Sequence, residues 1–130
     1  KLGCSLAIVD KRRPKPNVSE VLHIIGEVEG KTAVLVDDLI DTAGTIVNAS
    51  IALAEKGAME IYACCTHPVL SGPALERIEK SPIKELVVTD TLVWNKDRDC
   101  KKIKTLSVAN VIGEAIRRIY NKESVSSLFD

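Results

Sequence analysis

Thr32-Ala33-Val34-Leu35-Val36-Asp37-Asp38-Leu39-Ile40-Asp41-Thr42-Ala43-Gly44-Thr45 is the stretch that decides the fold. Residues 32–36 form a short apolar run that ends in two adjacent carboxylates. Such a run predicts a strand buried on both faces of a sheet. The loop through Asp41 and Gly44 leads into a helix over 45–56, where Ile46, Ala49, Ile51, Leu53 and Ala54 are the expected core face and Gly57 the stop. Strand, loop and helix in that order are one unit of a parallel α/β sheet.

The same alternation extends in both directions. Upstream, residues 6–9 read as a short buried strand ending at Asp10, and Val21–Ile25 as a second apolar run followed by a turn at Glu29-Gly30. Downstream, strands are expected over 61–65, 86–88 and Ile103–Leu106. Ser71-Gly72-Pro73 opens a short helix that carries Leu75 and Ile78 and stops at Ser81-Pro82, residues 96–102 form a charged connector, and Ser107 caps a last helix over 108–120. The fold class is therefore α/β, a doubly wound, mainly parallel sheet with helices on both faces and right-handed crossovers. In such sheets ligands bind beyond the carboxyl ends of the strands. The loops that begin at Asp10, Asp37, Thr66 and Asp90 are the ones to examine.

Composition narrows the function classes. The 130 residues (14.1 kDa) suit one domain over 1–130, and a hydrophobic share of 45% is enough for a core. Eighteen basic and eighteen acidic residues cancel, so no global field draws the chain to nucleic acid or to a membrane surface. The apolar runs are broken by charge well short of the roughly 18 residues a span needs. No signal-peptide pattern is visible, and Lys1 stands where a complete chain would begin with Met. Cys64 and Cys65 would face opposite sides of a strand. Cys65 with His67 lacks a second ligand pair at zinc-like spacing, so buried thiols in a reducing cytoplasm, with no metal site, are expected.

The central stretch also carries chemistry. A carboxylate accepts two hydrogen bonds, which suits the vicinal hydroxyls of a ribose. The following segment offers backbone amides, a glycine, the hydroxyls of Thr42 and Thr45, and a helix N-terminus whose unpaired N–H groups and dipole favour a phosphate. Taken alone, Asp37-Asp38 also reads as a solvated turn, and Thr42-Ala43-Gly44-Thr45 as an ordinary helix start. The complete order of acids, hydroxyl, glycine, hydroxyl and helix is far more restrictive.

That order resembles the phosphoribosyl pyrophosphate motif shared by type I phosphoribosyltransferases and ribose-phosphate diphosphokinases. The resemblance implies Asp37 on the ribose hydroxyls, and Asp41, Thr42, Ala43, Gly44 and Thr45 around the 5-phosphate. No direct contact is assigned to Asp38. A second segment separates the two activities. Asp10-Lys11-Arg12-Arg13-Pro14-Lys15-Pro16-Asn17 cannot continue regular structure, because two prolines and four like charges forbid it. It reads either as a solvated basic turn or as a mobile loop that closes over developing phosphate charge. It resembles the catalytic flexible loop of the diphosphokinases, which implies that Lys11 and Arg13 act on the transition state, with Arg13 also at the ribose-5-phosphate site.

The likeness continues through residues 62–74 and the C-terminal helix and tail, and covers nearly the whole chain. It implies the C-terminal half of a two-domain enzyme that transfers the diphosphoryl group of ATP to the 1-hydroxyl of ribose 5-phosphate. Mg²⁺ accompanies the ATP, with its ligands mostly in the other half. It further implies homo-oligomers, commonly hexamers, and an allosteric site for ADP or phosphate at Ser124, Ser126 and Phe129; a frayed polar terminus is the plainer reading of that tail. His67 is read as structural rather than as a general base. A phosphoribosyltransferase and a non-catalytic regulatory subunit are the alternatives. Lacking its companion half, the fragment is expected to turn over little or not at all.

Overall fold

The computed structural model describes residues 3–12, 21–94 and 100–129. Strands β1 (Ile8–Arg12) and β2 (Val21–Ile25) form an antiparallel ribbon, with Ile8 opposite Ile25 and Arg12 opposite Val21. The main sheet contains β3 (Thr32–Ile40), β4 (Glu60–Pro68), β5 (Glu85–Thr89) and β6 (Ile103–Leu106), all parallel and in the spatial order β3-β4-β5-β6. Helix α1 (Gly44–Glu55) connects β3 to β4 and α2 (Ala74–Lys80) connects β4 to β5. Helix α3 (Ala109–Tyr120) and a single 3-10 turn, Ser126–Leu128, follow β6. The α/β class with its parallel sheet is as the sequence indicates.

One face of the sheet holds the core. Register places Ala63 between Leu35 and Leu86, and Cys65 between Asp37 and Val88. Against this face pack Ile46 and Leu53 of α1 and Ala74, Leu75 and Ile78 of α2. Ile78, Ile83, Leu86 and Val88 are completely buried. Each contributes about 1.5–3 kcal/mol by area removed from water.

Several expectations need correction. In α1 the buried stripe is Ile46, Ala49, Ser50 and Leu53, while Ile51 and Ala54 are exposed. Positions 46, 49, 50 and 53 follow the i, i+3, i+4, i+7 spacing of one helix face, and 51 and 54 turn away from it. Ser50 is tolerated inside because its hydroxyl donates to the Val47 carbonyl at 2.7 Å. β3 is not buried on both faces, since Val34 is 59% and Val36 77% exposed. It is the end strand of the four-stranded sheet among the described residues. Beside it, a cavity of about 440 Å³ separates Leu6–Val9 of the β1 arm from Val34–Asp37 of β3.

β1 begins later and runs farther than expected, through Lys11 and Arg12, because pairing with β2 extends it. Cys4 is exposed and Cys64 half-buried, so only Cys65 and Cys100 are buried thiols; burial pushes the Cys65 thiol up to about 11. α3 starts at Ala109, with Ser107 Oγ accepting from the Ala109 amide (3.2 Å) and Asp90 Oδ1 from the Val108 amide (2.9 Å). It buries none of its residues, and Ile112, Ile116 and Ile119 are exposed. No helix among the described residues is long and apolar enough to cross a membrane.

Two glycines secure the arm. Gly26 ends β2 at φ 116°, and a Cβ there would lie 3.2 Å from the Ala7 backbone. At the foot of the sheet Gly30, with φ 68°, donates to the Gly57 carbonyl at 2.8 Å. Lys56 reaches from the end of α1 to the Ile24 carbonyl at 2.9 Å and ties the ribbon to the main body.

Candidate functional site

β3 delivers Asp37 and Asp38 to opposite faces of the sheet near its carboxyl end. Asp37 is half-buried, on the same face as Leu35 and Cys65, and its Oδ1 accepts the Asp38 amide at 2.9 Å. Asp38 is exposed. The strand continues to Ile40, and Asp41, Thr42 and Ala43 form the turn into α1. A cavity of about 200 Å³ lies over this turn, lined by Asp37, residues 39–43 and the first three residues of the helix, Gly44, Thr45 and Ile46. All six positions that the resemblance assigned to ribose 5-phosphate within this stretch, Asp37, Asp41, Thr42, Ala43, Gly44 and Thr45, line one cavity.

Local geometry makes the cavity suited to an anion. The helix has no side-chain cap at its N-terminus and no acidic residue in its first turn. The first bond into the helix is Val47 N–H to the Ala43 carbonyl at 3.1 Å, which leaves the amides of Gly44, Thr45 and Ile46 without intrahelical acceptors. Those donors and the helix dipole converge where Thr42 and Thr45 add hydroxyls. Ala43 is buried with φ 60°, a left-handed backbone that L residues adopt at a cost of about 1–2 kcal/mol. Strain of this kind persists only where surrounding contacts enforce it.

The loop after β4 supplies that enforcement. The Leu70 and Ser71 amides donate to the Ile40 and Asp41 carbonyls, both at 3.0 Å, and Ser71 Oγ donates to Asp41 Oδ1. From α2, Arg77 Nη1 donates to the Thr42 carbonyl at 3.0 Å. These contacts were not foreseen. Ser71 reads in sequence only as a helix opener, and nothing local marks Arg77, 35 positions from Thr42.

The other named positions lie elsewhere. Lys11 is on β1 with its backbone opposite Leu22, and Arg13 lies outside the described residues. His67 is on β4 opposite Leu39, its Nδ1 2.9 Å from Thr91 Oγ1; Thr91 and Thr89 hydroxyls also donate to the Thr66 carbonyl at 2.8 and 2.6 Å. In the tail, Ser124 Oγ and Ser126 Oγ are 2.6 Å apart, and Arg118 Nη1 donates to the Ser124 carbonyl at 3.0 Å and to Ser127 Oγ. Phe129 is 66% exposed. A single 3-10 turn and these hydrogen bonds connect the described tail to α3. Glu114 anchors the arrangement: hydrogen bonds from Arg117 and then Arg118 hold its carboxyl down to about 2.

A parallel α/β sheet whose first helix begins uncapped beside a strand-borne carboxylate is the class of domain that the fold and the cavity define. Comparison with known proteins makes this specific. The profile of the phosphoribosyl synthetase-associated domain matches residues 7–130, and the chain belongs to that family. It is 63% identical over 130 residues to the ribose-phosphate pyrophosphokinases of Bacillus cereus and Corynebacterium ammoniagenes. All of the chain is covered, but it spans only 41% of those relatives' length. Among solved structures it resembles the phosphoribosylpyrophosphate synthetase from Mycobacterium smegmatis, with a TM-score of 0.75 and 37% identity over 78% of this chain and 34% of that one.

Proposed function

We propose that this chain is the ribose-5-phosphate-binding part of a ribose-phosphate diphosphokinase. The observation that carries this is the cavity in which Asp37 and the free amides of Gly44, Thr45 and Ile46 face one space. Asp37 accepts from the vicinal ring hydroxyls, and residues 41–45 take the 5-phosphate. The relatives are named ribose-phosphate pyrophosphokinases, and in this reading the diphosphoryl donor is ATP. In the complete enzyme the 1-hydroxyl oxygen bonds to the β-phosphorus of ATP and loses its proton. The bond from that phosphorus to the oxygen bridging the α-phosphate breaks, releasing AMP and 5-phospho-ribose 1-diphosphate. Lys11 and Arg13 offset the charge that grows on the transferring group.

The remaining assignments belong to the whole protein. The chain spans 41% of the relatives' length, and the rest of the protein carries most of the ATP site. Mg²⁺ enters with the ATP phosphates, which it shields. Among the described residues no group of three or more His, Cys, Asp or Glu could hold a metal, and no step is assigned to one. Homo-oligomerisation, control by ADP or phosphate at Ser124, Ser126 and Phe129, and a cytoplasmic location complete the proposal.

The test is turnover by the complete enzyme, read as AMP formed from ATP in the presence of ribose 5-phosphate. Lys11→Ala is expected to lower kcat at least ~10²-fold, the scale of losing one donor to developing charge. An unchanged kcat overturns the role of Lys11. Release of pyrophosphate from the diphosphate product, dependent on an added nucleobase, would instead identify a phosphoribosyltransferase.

A further inference from the structure

We propose that Arg77, with Ser71, positions the turn 41–43 for its anion from behind, so that α2 sets the affinity of a site it does not line. This rests on the assignment of that turn to a phosphate group. Four hydrogen bonds enter residues 40–42 from the segment 70–77: two from the Leu70 and Ser71 amides, one from the Ser71 hydroxyl, and one from the Arg77 guanidinium. The backbone amides tether the strand end, whereas the two side chains act on the turn itself.

Peptide geometry gives the Arg77 bond its consequence. In a planar trans peptide the carbonyl and the next N–H point in opposite directions. Arg77 holds the Thr42 carbonyl, so the Ala43 N–H is turned away from Arg77. Thr42 and Ala43 line the cavity, and Arg77 is not among its lining residues. Orientation of this one peptide also leads the chain into the left-handed conformation at Ala43, one residue before the helix. Leu70, at φ 50° and also buried, is a second left-handed non-glycine residue in the bracing segment. The conformations of the turn and its brace therefore depend on each other.

Charge acts in the same direction. Arg77 Nη1 lies 3.5 Å from where a Cβ on Gly44 would sit, so a permanent cation overlies the first residue of α1. It adds to the positive end of the helix dipole at close range. Ser71 fixes the Asp41 carboxylate by hydrogen bonding to it, which restrains the one acidic side chain of the turn from swinging towards an incoming phosphate.

The test compares inorganic phosphate and ribose 5-phosphate binding by the 130-residue chain and its variants, each alongside a urea unfolding curve. Arg77→Met, which keeps most of the packing and removes donor and charge, is expected to weaken phosphate binding about ten-fold, the scale of a hydrogen bond to a charged group. Its urea midpoint should stay near that of the parent chain, because Arg77 is exposed. Arg77→Lys should recover most of the loss. Ser71→Ala should weaken phosphate several-fold and provides the comparison if Arg77→Met alters folding. Equal phosphate affinity in the parent chain, Arg77→Met and Ser71→Ala overturns the positioning role. Ribose 5-phosphate binding no tighter than phosphate would count against the sugar assignment alone, leaving the Arg77 comparison intact. Absence of phosphate binding by the folded parent chain overturns both.

Discussion

Replacing Ala43 separates backbone strain from packing at the centre of the site. Ala43 is 4% exposed and left-handed, at φ 60°. Ala43→Gly relieves about 1–2 kcal/mol of backbone strain. It also gives up a buried methyl worth about 0.8 kcal/mol. Greater freedom in the unfolded chain costs a further 0.4–1 kcal/mol or so. These nearly cancel, so Ala43→Gly should leave stability within about 1 kcal/mol of the parent. Ala43→Val retains the unfavourable φ, adds a β-branch and inserts two carbons into a filled space. It should cost about 2–4 kcal/mol, because overpacking alone removes roughly 1–3. Urea unfolding measures both, with an unchanged m-value certifying that the midpoint shift is a stability change. A neutral Ala43→Val, or a loss above about 3 kcal/mol for Ala43→Gly, would refute the left-handed, close-packed turn on which the site depends.

Two other perturbations probe the frame around the site. Ile78→Ala empties a completely buried position between α2 and the sheet and should destabilise the chain by about 2–5 kcal/mol, read from the urea midpoint; a loss under about 1 would contradict the described core. Glu114 is held down to about 2 from its ordinary 4.5, so its contribution to order in α3 and the tail is fully present above 4.5 and lost as pH falls towards about 2. Amide chemical shifts of residues 114–128 should change through that window and Glu114→Gln should flatten the change, whereas an identical pH response in the variant would rule out the pairing with Arg117 and Arg118.

The cavity of the candidate site was legible in the sequence where its parts are contiguous. Asp37 through Thr45 form one strand end, turn and helix start, and their mutual placement follows from local geometry alone. Elements of the sheet were legible for the same reason, since short apolar runs between turn residues mark strands whatever their neighbours. What escaped depends on pairing or packing across the chain. β1 runs through Lys11 and Arg12 because β2 pairs with it, and no pattern within residues 6–13 encodes a partner twelve or so positions on. Val34 and Val36 look like core residues because hydrophobicity does not state which layer covers them. Ile51 and Ala54 were assigned inward by apolarity, where helical spacing would have pointed to Ser50 instead. Arg77 could not be linked to Thr42 by any local signal.

The central claim, that Asp37 and residues 41–45 form a sugar-phosphate site, is tested most directly by calorimetric titration of the folded chain with ribose 5-phosphate, with ribose as the control. Binding that requires the phosphate, and that is weakened by Asp37→Ala and by Thr45→Ala, is the predicted result. Equal binding of ribose and ribose 5-phosphate, or ribose 5-phosphate binding that neither substitution changes, would contradict it.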